Sequence, residues 1–361
     1  MSCDEEVKKM YQSKTFIATP PGATIREQLS LRGMKQKEFA IRMDLSEKHI
    51  SRLITGQVEL TQDVALRLES VLGIPAQFWN NLEAIYREKI LRVKEENYLI
   101  EEIEQSRQFP YNEMIALGWI KETNNPIERV QNLRSFFEVA RLQKLEDLGI
   151  PGISYRRVGF GKKTDYSLAV WSQKARLEAR NDILSPINVE KLQASILKIR
   201  SMTLKEPNIF CQELKTIFSQ CGIALVFLPH IKGSFLHGAT FVDGNHVVMG
   251  LTVRGKTADK FWFSLFHEIQ HIINGDIYNA SFEDEEFEYK ADCFARDVLI
   301  PMDKFTGFVE NQKFDRISIE KFARDLGVSP GIVVGRLQKE NMIQYNAFND
   351  LKVSYTLDCG S

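Results

Sequence analysis

Cysteine is scarce and unpatterned in this 361-residue sequence: Cys3, Cys211, Cys221, Cys293 and Cys359 are odd in number, scattered, and never in CxxC spacing. That excludes a disulfide scaffold and a cysteine-held zinc finger, and implies reduced thiols in a cytoplasmic protein. No apolar run approaches a membrane span, and Met1-Ser2-Cys3-Asp4-Glu5-Glu6 is charged where a secretory leader would be apolar. Neither sign of charge is in excess. With 47 Lys and Arg against 48 Asp and Glu, any nucleic-acid contact must come from a local basic face. Histidine is also rare, at six residues, so a grouping of histidines carries information. What is present is ordinary for a globular chain, 43% hydrophobic and 26% charged, and long enough for two or three domains.

Two of the six histidines lie in Phe261-Trp262-Phe263-Ser264-Leu265-Phe266-His267-Glu268-Ile269-Gln270-His271-Ile272-Ile273, which reads HExxH. At this histidine frequency a chance HExxH is about a one-in-a-hundred event. Apolar residues on nearly every side predict a buried helix, while Ser264, His267, Glu268 and His271 fall on one polar stripe. Burying two imidazoles and a carboxylate without partners would cost roughly 2 kcal/mol or more per group, and a bound metal removes that cost. His267 and His271, one turn apart, can share a divalent ion, with Glu268 beside them as a base for a bound water. A catalytic zinc needs a third protein ligand, and Glu288 is the choice. It opens Glu288-Tyr289-Lys290-Ala291-Asp292-Cys293-Phe294-Ala295, which is periodic as a helix and is stopped at Pro301. Asp292, one turn on, is placed to accept the second ring N–H of a ligand histidine. Glu283, Glu285 and Glu286 compete for the ligand position but read as solvated helix-start charges. The alternative is a purely structural His–Glu–His cluster.

HEIQH followed by EYKADCFARDVLIP resembles the ImmA/IrrE family of zinc-metallopeptidase-like domains. The resemblance runs from about Ile223 to Pro301 and on to the C-terminus, and implies zinc held by His267, His271 and Glu288, with Glu268 as catalytic base. In that family the substrates are repressor proteins.

Upstream, Pro20-Pro21-Gly22 ends a polar lead-in read as an arm over residues 1–22. A series of short helices follows. Thr24 is a candidate cap for the first, Gln36 to Met43 form the second, Ser46 caps a third to Ile54, Thr61 caps a fourth, and Pro75 opens a fifth carrying Phe78, Trp79, Leu82 and Ile85. Helices two and three have the spacing of a helix-turn-helix. Phe39, Ala40, Ile50 and Leu53 are its apolar pins. Ser46, Lys48, His49, Ser51 and Arg52 face outward toward bases and phosphates; Gln36 and Ser46 can position the reader on phosphates, and Lys48, Ser51 and Arg52 can specify the sequence. Arg26, Arg32, Lys35, Lys37, Arg42, Lys48 and Arg52 outnumber Glu27, Glu38, Asp44 and Glu47 here, the local surplus that DNA requires. The bland reading is a helical bundle with a solvated charged face. Residues from Pro21 to about Arg92, with LSEKHISRLITG and LGIPAQFWNNLE, resemble the HigA branch of the Cro/C1-type family. That resemblance implies an autorepressor and antitoxin that reads a palindromic operator as a homodimer and neutralises a small toxin protein.

Ile90 to Gln108 reads as a charged helical link, and Pro110 to Leu148 and residues 165–220 as helices without assignable chemistry; Gly149-Ile150-Pro151-Gly152 should break them. Ile223 to Leu228 is a β-rich run, and Ala239 to Val242 with His246 to Met249 flank Asp243-Gly244-Asn245 as a hairpin. His230, His237 and His246 lie near it as candidate oxyanion stabilisers, although an ordinary surface or core histidine is the better reading of each. Ile317 to Leu337 mimics a second helix-turn-helix, but Pro330-Gly331 and Ile332, Val333 and Val334 suit packing more than DNA reading. The expected fold is α+β, mainly α. It comprises the arm at 1–22, a five-helix DNA-binding domain at 23–92, a helical middle at 93–220, and a zincin-like domain with a small sheet at 221–361.

Overall fold

The computed structural model describes residues 19–148, 162–182, 184–231, 238–252, 256–278 and 285–355. The expected break at Gly149-Ile150-Pro151-Gly152, and His237 and Glu283, lie outside them. Two compact units are present, the first reaching to Glu104 and including Asn125–Gln131, the second made of the remainder. Among the described residues no helix is long and apolar enough to cross a membrane.

The first unit is helical: α1 (Pro21–Leu31), α2 (Gln36–Arg42), α3 (Glu47–Ile54), α4 (Gln62–Leu72) and α5 (Ala76–Glu101). Ser46 and Thr61 are N-caps, accepting from the backbone N–H of His49 at 3.1 Å and of Val64 at 3.3 Å. α1 begins at Pro21, three residues before the expected Thr24 cap, so Pro21 and Gly22 belong to the helix; the rest of the expected arm, up to residue 18, lies outside the described residues. The reason is twofold. A proline at the first helical position gives up an N–H that has no partner there anyway. Gly22 then lets α1 press onto α3: a Cβ on it would lie 2.1 Å from the carbonyl oxygen of Ile54. Ile25, Phe39, Ile50, Leu68 and Trp79 are fully buried between the helices. α5 runs unbroken through residue 92, where a domain boundary was expected.

In the second unit, α6 (Lys162–Ala179), α7 (Val189–Ser201) and α8 (Pro207–Gln220) precede the strands β1 (Ile223–Leu228), β2 (Gly238–Asp243) and β3 (His246–Thr252). The sheet order is β1-β3-β2, with β1 parallel and β2 antiparallel to β3. Gly244, at φ 61°, is the first of the two residues turning β2 into β3. Then come β4 (Lys256–Thr257), α9 (Ala258–Asn274), α10 (Glu285–Leu299), α11 (Met302–Glu310), α12 (Arg316–Leu326), α13 (Pro330–Lys339) and β5 (Ser354–Tyr355), which pairs with β4.

Strand alternation sorts the two faces of the sheet. Ile223, Leu225, Phe227, Val247, Met249 and Leu251 join the core built around Phe261, Trp262, Leu265 and Ile269 of α9. On the opposite face α6 lies against β1 and β3. There Gly250 approaches Trp171 so closely that a Cβ would sit 2.5 Å from the indole. The later helices of the expected middle, α6, α7 and α8, thus belong to this unit, whereas residues up to Glu104 and Asn125–Gln131 belong to the first. α13 buries Ile332, Val333, Val334 and Leu337 beside α9, which removes it as a DNA reader.

Candidate functional site: a metal-ligand cluster and a DNA-reading helix

α9 holds the HExxH residues in a core because its sequence is apolar on three sides; it ends at Gly275, whose φ of 74° closes it in a left-handed cap. α10 packs alongside. Together they bring His267, His271 and Glu288 to one point, with a ligand atom from each within 4.8 Å of the others. The Nε2 atoms of the histidines are 3.0 Å apart. Glu288 presents one oxygen 3.2 Å from His267 Nε2 and the other 3.4 Å from His271 Nε2. Behind the rings, His267 Nδ1 lies 2.9 Å from Asp292 and His271 Nδ1 lies 3.1 Å from Asp276. Each imidazole is therefore turned by a carboxylate so that Nε2 points inward, the arrangement that fixes the tautomer of a metal-binding histidine. Two imidazole nitrogens and a carboxylate form a donor set suited to a divalent ion such as zinc, and these residues could hold one. Glu285 and Glu286 are exposed and outside the cluster; Glu286 pairs with Lys290 at 2.6 Å.

Asp276 is a site residue that sequence reasoning missed. It is buried, and its position just after the Gly275 cap, five residues beyond His271, was the available signal. Thr240 is another. From β2 its hydroxyl donates to Glu268 Oε2 at 2.6 Å, and nothing in the local sequence marks it.

The electrostatics follow from this crowding. Burial pushes the Glu268 carboxyl up, against the Thr240 hydrogen bond and the nearby histidines. For His267, burial opposes charging, but hydrogen bonds to Asp292 and Glu288 and the charge of Glu268 outweigh it, raising the ring from 6.5 to about 10. His271 is raised for the same kind of reason, with Glu288 and Asp276 overcoming burial. Hydrogen bonds from both histidines hold Glu288 down, from 4.5 to about 2.

These shifts set a pH window for the metal-free protein. The His267 contribution to stability is fully present below its unfolded value of 6.5 and is lost as pH rises through about 10. The Glu288 contribution is present above 4.5 and is lost as pH falls through about 2. In the presence of a chelator, the melting-temperature difference between wild type and His267→Gln should be largest between those windows. It should shrink on the alkaline side, and a difference constant up to pH 10 contradicts the ion-pair account.

In the first unit Phe39, Ala40, Ile50 and Leu53 are buried, while Gln36, Ser46, Lys48, Ser51 and Arg52 are exposed and His49 is half-buried. Arg42 is paired with Glu38 at 2.8 Å, and Arg32 donates to Leu72 O at 2.7 Å and keeps an unpaired charge among the described residues. Among the described residues no ion pair engages Lys48 or Arg52. Arg67 braces the turn between α2 and α3 by donating to the carbonyls of Met43 at 3.1 Å and Asp44 at 3.2 Å. His230 and His246 have no part in the metal-ligand cluster.

Comparison with known proteins finds a family model over each of these two regions. Residues 25–79 match a helix-turn-helix family model, and residues 228–338 match a model of the IrrE N-terminal-like domain. Over 63 residues the chain is 38% identical to the uncharacterized HTH-type transcriptional regulator YddM of Escherichia coli (strain K12), a match covering 18% of this chain and 67% of that one. An exposed α3 on a buried helix-turn-helix frame, the identity to a regulator of that type, and a metallopeptidase-like fold downstream give one conclusion: the chain belongs to the helix-turn-helix transcriptional regulators and carries an IrrE N-terminal-like domain.

Proposed function

We propose that this DNA-binding regulator reads a palindromic operator as a homodimer, and that its second unit is a zinc peptidase acting on a protein substrate. The observation that carries the peptidase reading is the convergence of His267 Nε2, His271 Nε2 and Glu288 with a base, Glu268, on the same helix. Zinc held there would supply a Lewis acid for a peptide carbonyl and lower the pKa of a water. Glu268 then takes the proton of the attacking water and passes it to the leaving amine nitrogen as the C–N bond breaks. Asp292 and Asp276 keep the ligand rings in register.

For DNA, Lys48, Ser51 and Arg52 read bases from α3 while Gln36 and Ser46 approach phosphates. Two exposed apolar residues of α5 seven positions apart, Phe78 and Ile85, support the dimer. Arg52→Ala should weaken specific operator binding by about 1–3 kcal/mol, roughly 5- to 150-fold, in a gel-shift titration at fixed salt. Unchanged affinity removes Arg52 from the reading set.

A second reading is an antitoxin and autorepressor whose metal site is structural. It is favoured by the likeness of residues 21–92 to the HigA branch, and it predicts a stable complex with a small ribonuclease-like toxin encoded alongside. The two readings part at Glu268: toxin neutralisation survives Glu268→Gln, whereas peptide hydrolysis does not.

A further inference from the structure

The edge strand β2 does more than border the sheet. Two of its residues that share one face, Gly238 and Thr240, meet the same side chain of α9. Thr240, itself buried, donates its hydroxyl to Glu268 Oε2 at 2.6 Å. At Gly238 a Cβ would lie 3.0 Å from Glu268 Cγ and Oε1 and 2.8 Å from Leu251, so the absence of a side chain makes room for the carboxylate. The opposite face of the strand is anchored separately: Arg176 of α6 lies 5.4 Å over the Phe241 ring and pairs with Asp243 at 3.0 Å. β2 is thereby fixed from behind while its front face carries a socket of one open position and one hydroxyl.

We propose that Thr240 is the positioning residue for the general base, pinning Glu268 Oε2 so that Oε1 alone is left to accept the proton of the attacking water. This rests on the peptidase reading above. Physically, a carboxylate with two equivalent oxygens and a free χ3 samples many orientations, most of them unproductive. A short charge-assisted hydrogen bond from a rigid strand selects one, and misplacing a catalytic group by about 1 Å can cost on the order of 100-fold in rate. Thr240 lies outside the metal-ligand cluster and is joined to it through its hydrogen bond to Glu268.

The test uses the full-length protein and three variants. Thr240→Val removes the hydroxyl at nearly constant shape, and Thr240→Ser keeps the hydroxyl and loses the methyl. Glu268→Ala removes the acceptor. The first readout needs no activity: in chelated protein, Thr240→Val should lower the melting temperature in the wild-type background and not in the Glu268→Ala background. Equal losses in both overturn the contact. The second readout is cleavage of a random decapeptide mixture by zinc-loaded protein, followed by mass spectrometry, with kcat and KM taken on the best-cleaved peptide. Thr240→Val should lose about 10- to 100-fold in kcat with KM and zinc content unchanged, and Thr240→Ser should restore kcat close to wild type. Wild-type kcat in Thr240→Val overturns the positioning role while leaving the peptidase reading intact. No cleavage by zinc-loaded wild type, with the thermal coupling present, overturns the peptidase reading and the role built on it.

Discussion

Glu268→Gln should leave zinc content unchanged and abolish peptide hydrolysis, with a rate loss of about 100- to 10,000-fold, the range for removing a general acid–base group. The substitution is close to isosteric, and the side chain is buried against β2, so the amide occupies the same space and can still accept from Thr240. Glu268 is not among the three residues whose ligand atoms converge, so metal retention is expected. What disappears is the ability to take a proton and return it. Cleavage at the wild-type rate by a zinc-loaded Glu268→Gln protein would move the proton transfer to another group. Loss of zinc together with activity would mean that Glu268 supports the metal site itself.

The second large effect belongs to the first unit and involves no chemistry. Gly22→Val should abolish operator binding and collapse the helix-turn-helix unit, because even its Cβ would sit 2.1 Å from Ile54 O and 2.3 Å from Ile54 Cα. Backbone cannot retreat as a flexible side chain can. The cost should reach the upper end of overpacking penalties, about 3 kcal/mol or more. Gly33 supplies the contrast. It has φ 62° but nothing within 4 Å of a built Cβ, so Gly33→Ala should cost only the left-handed backbone penalty, about 1–2 kcal/mol. Thermal unfolding and gel shift on both variants check the pair. Zinc content, which depends on the other compact unit, should be normal in each, and wild-type operator affinity in Gly22→Val contradicts the close-approach account.

These residues also mark where sequence reading succeeds and where it stops. Ser46 and Thr61 were legible as caps because a cap is a local device, a hydroxyl three residues before the N–H it accepts from. The pins Phe39, Ile50 and Leu53 were legible from helical spacing, and the hairpin from Gly244 at its turn. The start of α1 was not, since Pro20-Pro21-Gly22 reads locally as a turn and only Ile54, more than thirty residues away, explains why a glycine sits there. Likewise Phe78 and Ile85 stand exposed on α5 while Trp79 between them is buried. His267, His271 and Glu288 could be picked out together because HExxH and the downstream helix are each periodic, and the structure brings their ligand atoms to one point. Thr240 and Gly238 reach Glu268 across a sheet-to-helix contact that carries no sequence period. Residues 165–220 showed only helical periodicity, because their partner, the sheet that α6 and α8 cover, is formed by strands later in the chain.

Zinc per chain tests the central claim most directly, measured by elemental analysis on untagged full-length protein purified without chelator, beside His271→Ala. A buried His271 whose two ring nitrogens face Asp276 on one side and His267 and Glu288 on the other should be indispensable to the ion. The account predicts about one zinc per chain in wild type and essentially none in the variant. No metal in wild type, or equal metal in both, would contradict it and leave a DNA-binding regulator whose His–Glu–His cluster is held together by its own hydrogen bonds.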